Sequence, residues 1–401
     1  MFDNLLFQNV SNQLITDLKN NKLPSSILLS GPEASGKLTC ALELGRVLSC
    51  TGNGTLEKGN WLCDCPACRK NKELTGTNII LAGPRDCSLE MLAARKTLIH
   101  AALNNSTWIT AARYLFIRSV RKLTLRFSPV LWEGDDKISK ISPLLEDIND
   151  SLEILSISKA LPPVEELEKL TEKIIASAEK LENGYLYDSL PIDHIRRASF
   201  WAHLKSNEGK KVIIIENVEK MNESCRNALL KILEEPPEDV FFILTTARRG
   251  AVMQTILSRV RTYTFFQRTG EQQKTVISRV FHHEGNDENV IQYLQTYLPV
   301  TPDAIKKEAF DYYAGIKNNH LVNVAAFVKN CGDFEPRTLF KIFLRGLTEA
   351  QREVNNPEIE HKNLEAIIEC YNNVSVFNVK PVAALEKLYR DLASIRKVNL
   401  R

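Results

Sequence analysis

Hydrophobic positions along the chain fall into two patterns. Short unbroken apolar runs occur at Ser26–Ser30, Lys211–Ile215 and 240–245, rich in Val, Ile, Leu and Phe and bounded by charged or turn residues. Such runs predict strands buried on both faces, as in a parallel sheet. The first leads through Gly31-Pro32 into a helical pattern beginning near Lys37, so it reads as strand, loop and helix. Between the other two, Ala228, Leu229, Ile232 and Leu233 share one helical face until Pro236-Pro237 stops the helix. From about 88 to 188 the period is helical throughout and predicts three or four helices. The clearest starts at Pro163, carries Val164, Leu167, Leu170, Ile174, Ala178 and Leu181 at helical spacing, and has Gly184 as a candidate end. After about Gln267 the pattern is helical again, broken near Cys331-Gly332-Asp333.

Composition narrows the class without deciding it. With 401 residues the chain exceeds one ordinary domain, and 44% hydrophobic with 25% charged residues matches a globular protein, excluding wholesale disorder. A net charge of +3 means that any nucleic-acid contact must come from a local patch. No apolar run approaches bilayer-spanning length and the first residues lack signal-peptide regions, so no membrane association and a cytoplasmic location are expected. Residues 105–132 contain Arg113, Arg118, Arg121, Lys122 and Arg126 but no acid, whereas 146–182 is mostly acidic. Packing of these helices with complementary charge is expected ahead of a DNA or protein surface.

Candidate chemistry is concentrated in four places. Residues 31–37, Gly-Pro-Glu-Ala-Ser-Gly-Lys, fit G-x-x-x-x-G-K between a strand and a helix, so Gly31, Gly36 and Lys37 form a candidate phosphate loop. The next position, where a hydroxyl should reach magnesium, is Leu38, and Thr39 is one residue late, about 100° around the helix. The second strand ends in Glu216-Asn217 rather than a pair of acids, so both halves of a metal-dependent nucleotide site are degraded. ATP binding is doubtful on this pattern and hydrolysis is not expected. Cys50-x12-Cys63-x-Cys65-x2-Cys68 offers four thiolates, enough to close a tetrahedral structural zinc site, although the tight C-x-C step can displace Cys63 or Cys65; buried free thiols are the alternative. Finally, Arg259 in Thr255-Ile256-Leu257-Ser258-Arg259-Val260 reads either as an ordinary ion-paired surface arginine or as a finger reaching a phosphate on another subunit.

These residues, taken with Leu23-Pro24-Ser25, Ile192-Asp193-His194-Ile195-Arg196-Arg197, Glu208-Gly209-Lys210, Lys220-Met221-Asn222, the Asn227–Pro237 string and Thr245-Thr246, resemble the bacterial DNA polymerase III clamp-loader subunits of the AAA+ class, in particular their delta-prime branch. The resemblance covers 1–85 and 188–268. It implies an α/β, RecA-like parallel-sheet domain over 1–268, with a zinc module at about 50–75 and a helical insertion at about 88–188 outside the family pattern. A helical lid at 269–328 and a helical collar at 329–401 would follow. It further implies that Arg259 is an arginine finger acting in trans with Ser258 in its support, Val260 standing where the family has cysteine. The implied partners are gamma/tau and delta subunits, the sliding clamp and primer-template DNA. A gamma/tau-type ATPase is the alternative, against which stand Leu38, Glu216 and Asn217 and, where a sensor arginine would lie, residues 315–319, Gly-Ile-Lys-Asn-Asn. A zinc-dependent DNA-binding protein would leave the phosphate loop and Ser258-Arg259 unexplained.

Overall fold

The computed structural model describes residues 1–52, 57–84, 86–187, 189–205, 209–285, 289–318, 320, 322–352, 356–375 and 379–399. Asp188, Glu208 and Asn319, quoted above in boundaries and motifs, lie outside the described residues. Two compact units divide the chain, Met1–Tyr293 and Leu294–Arg401, and the division falls inside the stretch expected as a lid.

The first unit is built on a parallel sheet of β1 (Ser26–Ser30), β2 (Ile79–Ala82), β3 (Lys211–Ile215), β4 (Val240–Thr246) and β5 (Arg261–Thr264), in the spatial order β2-β3-β4-β1-β5. This is the α/β architecture that the resemblance implies. Strands β1, β3 and β4 are buried at every position, which is why they read as unbroken apolar runs. The sequence pattern gave three strands, and the structure adds two. Strand β2 is a four-residue piece, and β5 is an edge strand in which only Tyr263 is fully buried, so neither presents a long apolar run. Side chains alternate across the sheet: Ile27 and Leu29 of β1 join one core layer, while Leu28 joins the other.

Helices α1 (Val10–Lys19) and α2 (Lys37–Ser49) supply the first layer, and α3 (Pro66–Lys72) follows the cysteine-rich loop. The second layer holds α4 (Ser88–Leu103), α5 (Ile109–Thr124), α6 (Pro129–Trp132), α7 (Ile138–Ile154) and α8 (Val164–Tyr185), with α9 (Ile192–His203), α10 (Glu223–Glu234) and α11 (Gln254–Leu257). Phe116, Val120, Trp132, Ile148 and Ile174 of the inserted stretch lie in one continuous core with Ile213 and Phe242 of the sheet, so the insertion shares the domain's core. Helix α8 runs through Gly184 rather than ending there. Helix α12 (Gly270–Phe281) is tied to α4 by the Thr97 hydroxyl, which donates to the Phe281 carbonyl at 3.1 Å.

The basic helix α5 finds most of its direct hydrogen-bond partners outside the acidic side chains, although the Glu153 charge on α7 acts on Arg121. Arg113 donates to the carbonyls of Leu155, Ser156 and Lys159, Arg118 to those of Asn71 and Lys72, and Arg121 to Asn149 Oδ1. Lys122 pairs with Glu90 at 2.5 Å and Arg126 with Glu216. Carbonyls prevail because the guanidinium groups are drawn into the core beside helix and loop ends, where unpaired carbonyls need donors.

His194 of α9 is 4% exposed against Trp132 and Tyr187, and burial, followed by the Arg197 charge, lowers its pKa to about 4. The unfolded chain therefore takes up this proton first, and stability contributed by neutral His194 is lost as pH falls from about 6.5 towards 4. About 2 kcal/mol should be gone at pH 5. His194→Phe should flatten the acid limb of the melting-temperature profile; an unchanged limb would place the loss elsewhere.

The second unit contains α14 (Pro302–Lys317), α15 (Val324–Asn330), α16 (Thr338–Gln351), α17 (Pro357–Ser375) and α18 (Pro381–Asn399), with α13 (Val290–Gln295) preceding them in the chain. Phe334, Phe340 and Phe343 form its aromatic centre, and buried Tyr312 donates its hydroxyl to the Leu385 carbonyl at 2.6 Å. Among the described residues no helix is long and apolar enough to cross a membrane.

Candidate metal centre and phosphate loop

All four clustered cysteines come together. Cys50 directly follows α2, Cys65 is the N-cap of α3 with Pro66 behind it, and Cys68 lies in that helix's first turn. The C-x2-C spacing works because an N-cap side chain and a residue three positions later both face the start of the helix; Cys65 Sγ accepts the Cys68 N–H there. The four Sγ atoms lie within 4.8 Å of one another, with Cys50 and Cys63 at 3.7 Å. A tetrahedral site with Zn–S bonds of about 2.3 Å needs sulfurs about 3.8 Å apart, so the cluster fits such an ion and can bind a metal such as zinc. Despite the tight C-x-C step, both Cys63 and Cys65 bring their sulfurs into the cluster. Burial pushes the Cys63 and Cys68 thiols up. Cys65 goes the other way: against the upward push of its own burial, hydrogen bonds from Thr51 and the Cys68 amide bring it down to about 6. Arg46, 1% exposed, donates to Cys68 Sγ at 3.1 Å and pairs with Glu43 at 2.6 Å.

The candidate phosphate loop, 31–37, follows β1 at the carboxyl edge of the sheet, where open α/β sheets bind ligands. Gly36 has φ +97°, and a Cβ on Gly31 would stand 2.6 Å from the Phe265 carbonyl oxygen, so both glycines are required by geometry. Lys37 is 9% exposed and donates to the carbonyls of Gly31 at 2.7 Å and Pro32 at 2.5 Å; burial lowers its pKa against the pull of Glu219, Glu33 and Glu216. Arg268, 8% exposed, donates to Ala34 O at 2.9 Å, Ser35 O at 3.0 Å and Leu6 O at 3.0 Å. Two cations thus clamp four loop carbonyls. Leu38 packs against the core layer of α1 and α2.

Glu216, at the end of β3, is bound by Arg126 from the turn after α5, and the two side chains are 15% and 6% exposed. Asn217 is left-handed, with φ +52°, and its N–H donates to the Thr245 hydroxyl at 3.2 Å. The acid that directly follows β3 therefore has a guanidinium partner within the chain. Ser258 and Arg259 follow α11. Arg259 donates to Thr255 O at 2.7 Å and forms an ion pair with Glu234 at the end of α10. Its side chain is 30% exposed, so in this chain Arg259 is an ion-paired surface arginine.

A profile of the family described as DNA polymerase III, delta subunit matches residues 7–138 and 160–269, more than half of the chain. The chain belongs to this family. Its resemblance to clamp-loader subunits therefore holds, and the family match extends through most of the helical insertion. That corrects the expectation that the insertion lies outside the family pattern, because only 139–159, essentially α7 and the loop after it, is left out. Curated relatives match over shorter stretches. The gamma/tau subunit of DNA polymerase III from Mycobacterium tuberculosis H37Rv is 33% identical over 91 residues, 23% of this chain and 15% of the relative. The delta' subunit from Buchnera aphidicola of Schizaphis graminum is 39% identical over 77 residues, 19% of this chain and 24% of the relative. The Bacillus subtilis tau subunit is 43% identical over 61 residues, 15% of this chain and 11% of the relative. This chain thus spans less than a quarter of the length of each of these relatives. A gamma-subunit-related protein of known structure from Thermotoga maritima aligns over 52% of this chain and 80% of its own, at 17% identity and a TM-score of 0.26.

Arg126 and Arg268 were not singled out as site residues by sequence reasoning. Arg126 was visible only as one charge of a basic helix, and Arg268 marked the end of the domain. No short-range pattern announces that an arginine will cap loop carbonyls or an acid far away in the chain.

Proposed function

We propose that this protein is a non-hydrolysing, delta-prime-like subunit of the DNA polymerase III clamp loader. In this reading it assembles with gamma/tau and delta subunits, assists ATP-driven loading of the sliding clamp onto primer-template DNA, and presents Arg259 to a neighbouring subunit's nucleotide. The observation that carries the proposal is the Arg126–Glu216 ion pair: a guanidinium on that carboxylate leaves it unable to hold magnesium or polarise water, and Leu38 supplies no hydroxyl in its place. The same observation speaks against a gamma/tau-type ATPase, whose chemistry needs both groups.

The purified chain should therefore show no ATP turnover. A rate on the order of 1 s⁻¹, at the low end of ordinary enzymes, that disappeared in Lys37→Ala would overturn the proposal.

The metal centre is read as a structural zinc site, closed by four thiolates with no position left for substrate. About one zinc per chain should accompany the protein. Cys65→Ser and Cys68→Ser should each lose it, and full zinc content in both variants would refute the ligand set.

A further inference from the structure

The four sulfurs are almost completely excluded from water, the most exposed of the cysteines reaching only 5%. Four thiolates around one divalent ion leave an excess of negative charge, and burying it requires a compensating donor. Arg46 makes such a contact. Arg46 uses all of its nitrogens: Nε donates to Glu43 Oε2 at 2.9 Å, Nη2 to Glu43 Oε1 at 2.6 Å and to Gly59 O at 2.8 Å, and Nη1 to Asn60 O at 3.2 Å and Cys68 Sγ at 3.1 Å. Glu43 and Arg46 are neighbours one turn apart on α2, so the helix itself places the carboxylate against the guanidinium fork. Gly59, whose carbonyl the fork holds, turns its own N–H to Cys50 Sγ at 3.2 Å. The guanidinium therefore reaches one sulfur directly and a second through the loop backbone.

We infer that Arg46, held in place by Glu43, is a positioning residue for the metal centre: it supplies charge to the Cys68 thiolate and clamps the 59–60 loop so that the sulfurs stay in ligating geometry. The inference rests on the zinc reading given above. It also assigns a purpose to a buried ion pair that the nucleotide chemistry does not use. Lys72 adds a cation nearby, but its ammonium donates to the Cys63 carbonyl at 2.9 Å rather than to a sulfur.

The test compares the full-length wild-type protein with Arg46→Lys and with the double variant Arg46→Met/Glu43→Gln, which removes both charges and so leaves no unpaired carboxylate. Zinc affinity is read by competition with a chromogenic chelator, and sulfur-to-metal charge-transfer bands are read after cobalt substitution. Both variants should bind zinc about 10- to 100-fold more weakly, the range for removing an outer partner of a metal ligand, with the lysine variant less affected and the cobalt bands shifted. A folded variant of either kind with wild-type affinity and unshifted bands would overturn the role of Arg46. Absence of zinc and of cobalt bands in the wild-type protein would instead defeat the metal reading itself.

Discussion

In a reconstituted loader, Arg259→Ala is expected to slow ATP hydrolysis at the adjoining subunit's site by about 10³- to 10⁵-fold, the range for removing an arginine finger. On the proposed reading total turnover should fall much less, because the substitution touches one site of the assembly. The physical reason is that charge developing on the transferred phosphoryl group needs a desolvated, fork-shaped cation, and a lysine at the same place would serve only in part. In the separate chain the guanidinium is held by Glu234, with the two side chains 30% and 50% exposed. Giving up such an exposed pair costs about 1 kcal/mol or less, so on the proposed reading Glu234 does not trap Arg259. Site-by-site hydrolysis, measured in an assembly shown to have normal stoichiometry and zinc content, checks the expectation. Unchanged hydrolysis next to Arg259→Ala would remove this residue from the mechanism and leave the subunit a structural part.

The second large effect concerns Arg126. Glu216 is only 15% exposed beneath its guanidinium partner, and removing the Arg126 side chain leaves that carboxylate unpaired. Breaking a pair this deeply buried costs about 3 kcal/mol, so Arg126→Ala should melt well below wild type. Glu216→Gln in the same background removes the orphaned charge and should recover part of the loss, giving a double-mutant coupling of the sign expected for partners. Calorimetric scans of wild type, both single variants and the double variant provide the four corners of the cycle. Additive losses would mean that the two groups do not interact, and a gain of ATP turnover in Arg126→Ala would mean that the pair masks a working site rather than replacing one.

How much of this was legible in the sequence depended on range. Strands β1, β3 and β4 announced themselves because central parallel strands are buried on both faces, whereas β2 was too short and β5, at the sheet edge, too polar. The cysteine cluster was legible because its ligands lie in one short segment and the helix cap brings Cys65 and Cys68 together. The candidate phosphate loop stood out by its spacing, yet the contacts of Lys37 with Gly31 and Pro32 carbonyls did not, since a motif fixes backbone shape rather than the state of a side chain. Arg126 meets Glu216 across 90 residues of chain, and Arg268 meets Ser35 across 233. Such pairings depend on how the insertion packs on the sheet and leave no periodic trace. Charge counting was right only in part: Asn149 and the Glu153 charge of the acidic stretch 146–182 do meet Arg121, but the other arginines went to carbonyls and Glu216, which no composition argument can see.

The central claim, membership in a multi-subunit loader as a member that does not hydrolyse ATP, is tested most directly by mixing the purified chain with the gamma/tau and delta subunits of the same organism. Native mass spectrometry gives the composition of any complex, and ATP turnover is measured with and without clamp and primed DNA. The account predicts a complex containing this chain in fixed stoichiometry, with clamp- and DNA-stimulated turnover that survives Lys37→Ala in this chain. Failure to enter the complex, or loss of turnover on that substitution alone, would contradict it.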